Sequence, residues 1–313
     1  MSATTEAEPQ ASPPRARGDR IFAGLSRGAG IAILVALAAV FVFLAIEGVP
    51  GISKPASNYR PLDSFVPYVG RLLFGTIFAG LIALVIAVPF ALGIALFISH
   101  YAPRALAAPV AYVIDLLAAV PSVVFGLWGA RVLGHYLVPA HRWLDDHLGF
   151  IPFFKGPASV TGKTVLTAGV VLAIMILPII TAICREIFAQ APRLNEEAAL
   201  ALGATKWEMV RLSVFPYARS GMVSAIMLGL GRALGETMAV AMVISASPVY
   251  TLNMISNTNP ATIASNIASS FAEATPDKLA VLIATGLVLF VFTFGVNFAA
   301  RAIVTRSERK FER

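Results

Sequence analysis

The chain has 313 residues, is 58% hydrophobic and only 13% charged, well below the charged share of about a quarter that water-soluble domains carry. Its net charge of +7 does not mark a nucleic-acid binder, because the basic residues stand between long apolar runs rather than on one hydrated face. One cysteine, Cys184, excludes an intramolecular disulfide and any cysteine-rich metal cage.

Residues 1–27 are expected to form a disordered cytoplasmic tail, since 1–18 are rich in Pro, Ala, Ser and charge and have no large apolar side chain beyond Met1. The first apolar run, 28–46, has 19 residues and no charge. That is enough to cross a hydrocarbon core of roughly 30 Å as a helix and too long for a signal-peptide core. With its outer loop it occupies 28–67. Five further runs, at 72–99, 105–130, 164–184, 222–245 and 279–300, bring the expected spans to six. The second and third contain Pro89 and Pro121, where a helix is expected to kink or break.

Lys and Arg set the orientation. With the N-terminus inside, 15 of the 24 basic residues fall in inner segments and six in outer ones, while Arg71, Arg131 and Arg232 lie within or at the edges of spans. Both termini and the segment between spans four and five are then cytoplasmic, in a multi-pass protein of the cell membrane. Asp115, in span three, reads as a paired structural carboxylate rather than a proton relay.

Two outer-loop signals are discounted. GPASVTGKT, from Gly156 to Thr164, has five residues before its Gly-Lys where a phosphate loop needs four, and no strand precedes it. His141, Asp145, Asp146 and His147 stand beside Trp143, Phe150, Phe153 and Phe154, and read as an exposed interfacial loop rather than a metal site.

Between spans four and five, Asn195 is expected to cap a helix with Glu196 and Glu197 in its first turn, and Gly203 to end it in a left-handed conformation. Thr205 and Glu208 have capping-box spacing for a second helix. By periodicity alone this is an amphipathic connector at the inner membrane face. Its string EAALALGATKWEMVRLSVFP, with Glu197, Ala198, Ala199, Gly203 and Pro216, resembles the EAA loop of ABC-importer permeases. That resemblance implies a coupling helix seated in a groove of a cytoplasmic ATPase.

In span five, Arg232 is expected near the bilayer midplane, where a charge is costly and marks a path or a wet cavity. Glu236, four residues on, is expected on the same helix face and within reach of it. Gly231 and Gly235 allow a neighbouring helix to approach closely. A planar guanidinium that stays charged suits an oxyanion, and Glu236 would accept a hydrogen bond from a protonated anion while repelling a fully deprotonated one. In the next outer loop, Ile263, Ile267 and Phe271 form one apolar stripe, expected to pack on the spans or to meet a soluble partner.

LGLGRALGETMAV in span five and AAVPSVVFGLWG in span three resemble the PstC-type permeases of phosphate ABC importers. The resemblance implies an all-α, six-span membrane protein with the type I ABC-importer permease (MetI-like) fold. Its permease domain would cover 68–303, with the EAA loop at 186–216 and a cytoplasmic tail at 304–313. It places Gly231, Arg232, Gly235, Glu236 and Thr237 on the substrate path. It further implies import of inorganic phosphate, a PstA-like second permease, a PstB-like ATPase dimer holding ATP and Mg, and an extracytoplasmic phosphate-binding protein. This chain would bind no cofactor and perform no hydrolysis. The alternatives are a permease for sulfate or molybdate and an ion-coupled secondary transporter using Glu236 or Asp115, for which no inverted repeat is present. A membrane enzyme would need convergent catalytic residues, and the sequence offers none.

Overall fold

The computed structural model describes residues 17–311, which form twelve α-helices joined by short 3-10 and π-helical turns. Helix α1 spans Arg17–Gly48. Of the tail expected to be disordered, residues 17–27 are therefore helical, with no proline between 17 and 48 to interrupt the helix; residues 1–16 lie outside the described residues.

Helix α2 (Phe65–Leu96) continues into a π turn, Phe97–Tyr101, and passes Pro89 without a break. Packing against α6 (Val165–Ala189) holds it on both sides of that proline. Gly169 lies against Ile82, and the Thr181 hydroxyl donates to the Ala91 carbonyl at 3.4 Å. Ala79, Ala83, Ala87, Ala91 and Ala95 are all buried, a ladder at four-residue spacing whose small side chains let the two helices approach closely. Around them lies the main core, shared with α9.

Pro121 does break its run. The residue before a proline is driven out of the α region, and the expected single span becomes α3 (Arg104–Ala118) and α4 (Ser122–Trp128). Helix α4 runs through the π turn Gly129–Leu133 into α5 (Gly134–Leu148). The long apolar segment here is therefore Ser122–Leu148, with Ala105–Ala118 as a shorter helix before it. This also corrects the expected exposed loop: His141 is fully buried within α5. Asp145 accepts the Ala158 N–H at 3.1 Å, and Trp143 stacks on His147. In the GKT segment, Thr164 is simply the cap of α6, accepting the Thr167 N–H.

Among the described residues, five helical segments are long and apolar enough to cross a membrane. The expected fifth span is not one of them. Helix α7 (Arg193–Ala201) leads to α8 (Lys206–Met209), a π turn at Val210–Val214, and α9 (Phe215–Leu234), which stops at Gly235. Helix α10 (Met238–Val243) follows after the break. Helix α11 (Ile263–Ser270) buries Ile263, half-buries Ile267 and leaves Phe271 exposed; the last helix, α12, is Pro276–Phe311. The stripe thus packs mainly on the spans.

Contacts fix the helix directions. Tyr68 meets Lys278 at the starts of α2 and α12, so these begin at one end of the molecule, as α6 does by its pairing with α2. Ile187 lies against Gly221 and Ile180 against Gly229, so α9 runs antiparallel to α6 and hence to α2 and α12.

Candidate functional site

Helix α9 ends two residues after Arg232. A guanidinium in the last turn of a helix is favoured by the partial negative charge of its terminal carbonyls, and Arg232 is exposed there. Because the helix stops at Leu234, Glu236 is not on a continued helical face, and the expected Arg232–Glu236 contact does not form. Among the described residues, Lys54 pairs with Asp277 at 2.6 Å, His100 Nε2 lies 3.5 Å from Glu196 Oε1, and Arg185 Nη2 lies 3.7 Å from Asp115 Oδ2. The last gives Asp115 the structural partner expected of it.

Glu236 is buried, and its Oε1 accepts the Ala239 N–H at 3.1 Å. It therefore satisfies an orphan donor at the start of α10, where a negative charge is favoured. Thr237 is half-buried at the N-cap position of α10 and makes no side-chain cap bond. A Cβ on Gly126 of α4 would stand 2.7 Å from the Ala239 Cα, so α4 and α10 meet backbone to backbone. By contrast, a Cβ on Gly231 meets nothing within 4 Å and one on Gly235 meets only the Gly231 carbonyl, at 3.5 Å. The expected close approach at these glycines is therefore absent within the described residues, and Gly231 instead lines the same cavity as Arg232.

Arg232 lines a cavity of about 810 Å³ between α6, α9 and α12. Among the described residues its other polar lining side chains are Ser220 and Ser224 from α9 with Asn297 and Arg301 from α12, and none of these is a carboxylate. Sequence reasoning missed Asn297 and Arg301, because Arg301 counted only as an inner-side charge. It also passed over Arg71, which is buried with Nε and Nη1 unpartnered and its guanidinium 5.6 Å from the Tyr68 ring centroid.

The second candidate region lies around α7. Pro192, with φ already helical at −63°, precedes the helix, so α7 starts earlier than expected and Asn195 lies inside it rather than capping it. Glu197 and Ala198 are exposed, and Ala199 is half-buried against the core. Gly203 has φ +87°, the left-handed turn expected. The Thr205 N–H donates to Glu208 Oε2 at 2.8 Å, and the Glu208 N–H donates to Thr205 Oγ1 at 3.3 Å. The Thr205 backbone bond, followed by its hydroxyl bond, holds the Glu208 carboxyl below the usual value. Pro216 is tolerated because the π turn before it widens the helix, with the cap N–H of Phe215 returned to the Val210 carbonyl.

The turn is tied to the ends of the spans. His100 Nε2 lies 3.5 Å from Glu196 Oε1, His100 Nδ1 is 2.7 Å from Ser99 Oγ, and Lys206 stands 5.6 Å over the Tyr101 ring. Its outer surface is mixed, with Arg193, Asn195 and Glu197 exposed beside Leu194 at 76% and Leu202 at 90%. Large exposed apolar side chains at a hydrophilic helix turn mark a contact surface.

A family model described as "Binding-protein-dependent transport system inner membrane component" matches residues 87–309. Among similar proteins, the phosphate transport system permease protein PstC 2 of Mycobacterium tuberculosis is 47% identical, over 93% of each chain. The PstC protein of Xylella fastidiosa (strain Temecula1) is 39% identical, over 94% of this chain and 93% of that one. Two solved importers share the fold. An inward-facing MetNI methionine ABC transporter chain aligns at TM-score 0.51 and 17% identity, over 76% of this chain and 93% of that one. A bacterial ABC transporter importing the acidic polysaccharide alginate aligns at TM-score 0.51 and 16% identity, over 92% of this chain and 99% of that one.

Proposed function

The chain belongs to the binding-protein-dependent transport system inner membrane components, a multi-pass permease with the MetI-like fold, and from that membership we propose that it is a permease subunit of an ATP-driven phosphate importer. One observation carries the reading: a broken helix leaves Arg232 exposed in a cavity whose described lining residues include no carboxylate. A fixed guanidinium in a low-dielectric site is a natural place for an oxyanion to rest. The names of similar proteins support phosphate over sulfate or molybdate.

The turn at α7, ending at Gly203 and exposing Leu194 and Leu202, is the surface for an ATPase partner. ATP and Mg reside on that partner, and this chain supplies the path. Binding and hydrolysis of ATP move α7, and the ties at His100 and Tyr101 pass the movement to the inner end of α2. The open face at Gly231 and Gly235 receives a second permease subunit, and an extracytoplasmic binding protein delivers phosphate to the opposite end. Both chain termini are cytoplasmic.

The test is ATPase activity of the reconstituted complex with the loaded binding protein. Phosphate is expected to stimulate it and sulfate to leave it at the basal rate. Equal stimulation by both anions counts against phosphate specificity, and none by either counts against an anion importer.

A further inference from the structure

Near the start of α2, Arg71 is buried without a counter-charge. It is 6% exposed, and its Nε and Nη1 are enclosed with no hydrogen-bond partner. A buried donor left unpaired is costly, a charged one more so, and such a group calls for a partner. The acid in the first turn of α12, Asp277, is taken by Lys54 at 2.6 Å, and no carboxylate among the described residues pairs with Arg71. What surrounds the guanidinium is aromatic and cationic. It stands 5.6 Å from the centroid of the Tyr68 ring, which also carries the Lys278 ammonium at 4.5 Å.

A second tyrosine lies along the same stretch of α2. The Tyr250 hydroxyl donates to the Pro67 carbonyl at 3.2 Å, and the Tyr250 ring is 5.8 Å from that of Phe74. A Cβ on Gly70 would stand 2.9 Å from the Tyr250 hydroxyl oxygen. Pro67 and Phe74 are four residues before and three after Arg71, so Tyr250 spans the helix face that carries it. Tyr250 is itself 59% exposed.

We propose that Arg71 is an oxyanion-binding residue at the outer mouth of the permease, reached past Tyr250, and that inorganic phosphate supplies the acceptors its guanidinium lacks. This rests on the reading of the chain as an anion importer with both termini cytoplasmic. The planar fork can take two oxygens of one anion. A small anion enters once a single tyrosine side chain turns aside, whereas a carboxylate from another subunit must bring its backbone with it. The site is separate from that of Arg232. A Cβ on Gly80 would stand 3.2 Å from Leu234, and α9 runs antiparallel to α2, so Arg232 lies roughly 16 Å further along the bundle. One phosphate cannot touch both, and Arg71 holds the anion first.

Cysteine modification tests the site. Cys184 is the single cysteine of the chain and is wholly buried, so Tyr250→Cys gives a clean signal when labelling is read on this chain by intact mass. In the importer complex in proteoliposomes, before binding protein is added, the rates of modification by anionic MTSES and cationic MTSET are compared. The MTSES/MTSET ratio is expected to fall at least about threefold on adding Arg71→Gln and to recover with Arg71→Lys. Inorganic phosphate at constant ionic strength is expected to lower the ratio saturably when Arg71 is present, and to leave it unchanged with Arg71→Gln.

A ratio unmoved by Arg71→Gln overturns the proposal and leaves Arg71 as a support for the Tyr68 ring. A ratio that falls with Arg71→Gln but ignores phosphate also overturns it, because the partner is then fixed, a carboxylate of another subunit or a lipid headgroup. The phosphate arm needs no change at Arg71, so it decides the matter even if Arg71→Gln fails to assemble. Failure of the importer reading shows elsewhere, as near-normal phosphate uptake in Arg232→Ala.

Discussion

The carboxylate of Glu236 accepts the backbone N–H of Ala239 at 3.1 Å, which makes it the cap of α10 rather than the counter-charge of Arg232. A neutral amide keeps an oxygen acceptor at the same place, whereas a methyl leaves the donor unsatisfied. Glu236→Gln is therefore expected to hold the complex within about 1 kcal/mol of wild-type stability, and Glu236→Ala to lose about 1–2 kcal/mol. Thermal unfolding of the purified complex measures both. An equal loss in the two variants would mean that the charge, not the hydrogen bond, is what the site requires.

Arg232 stands apart from that network, exposed in the cavity. Its removal is expected to abolish phosphate uptake while the complex still assembles, because no partner among the described residues depends on it for folding. Arg232→Lys keeps the charge but not the planar fork, and should fall between the two. Uptake of radiolabelled phosphate, with co-purification as the assembly control, decides the matter; normal uptake in Arg232→Ala removes the path assignment.

The sequence carried the architecture further than it carried this site. Apolar runs marked the long helices because burial in lipid demands uninterrupted hydrophobic length. The left-handed turn at Gly203 and the Thr205–Glu208 box were visible because both depend on local chemistry alone. The break at Gly235 was not. Gly235, Glu236 and Thr237 interrupt the apolar pattern there, but Leu234 and Met238 on either side keep helical spacing, so periodicity ran straight through. A local bond and a packing contact both bear on the break: Glu236 accepts the Ala239 N–H three residues on, and Gly126 of α4 lies against Ala239. Pro89 and Pro121 make the same point. One is carried inside a helix packed along α6 and the other ends α3, although the residues look alike in sequence.

The glycines at this break should respond in opposite ways. Gly126→Ala places a methyl 2.7 Å from the Ala239 Cα, where only backbone can yield, and is expected to cost about 1–3 kcal/mol. Gly231→Ala enters open space in a helix and should leave the isolated chain unharmed or gain up to about 1 kcal/mol. Thermal unfolding in detergent is the comparison. If Gly231→Ala then weakens recovery of a companion permease, the open face is where that subunit packs.

The His100–Glu196 contact joins the C-terminal end of α2 to α7 across 3.5 Å. With the Glu196 side chain 20% exposed, a double-mutant cycle of His100→Ala and Glu196→Gln should give a coupling of about 0.5–1 kcal/mol. Hydrogen exchange over 193–201 is expected to quicken in either variant, and phosphate-stimulated ATPase to fall with it. Gly203→Pro and Glu197→Lys act on the surface proposed to dock the ATPase and should reduce its recovery. Unchanged exchange in His100→Ala would show that the contact does not hold the turn.

The capping box supplies a pH signature for the same turn. Bonds from the Thr205 backbone and hydroxyl lower the Glu208 carboxyl below its unfolded value, so the folded turn favours the ionised form. For a depressed acid, the stabilisation is present above the unfolded value and is lost as pH falls through the folded one. Helix α8 should therefore fray only on the acid side of the ordinary carboxylate range and be indifferent to pH near neutrality. Thr205→Ala removes the cap at every pH, at about 1 kcal/mol. Glu208→Gln can still complete the box but cannot titrate. Amide exchange across 205–209 in wild type and Glu208→Gln between pH 3 and 7 makes the comparison, provided intrinsic exchange rates are divided out. The acid-side loss of protection is expected in wild type alone; the same loss in Glu208→Gln would place the sensitive group elsewhere.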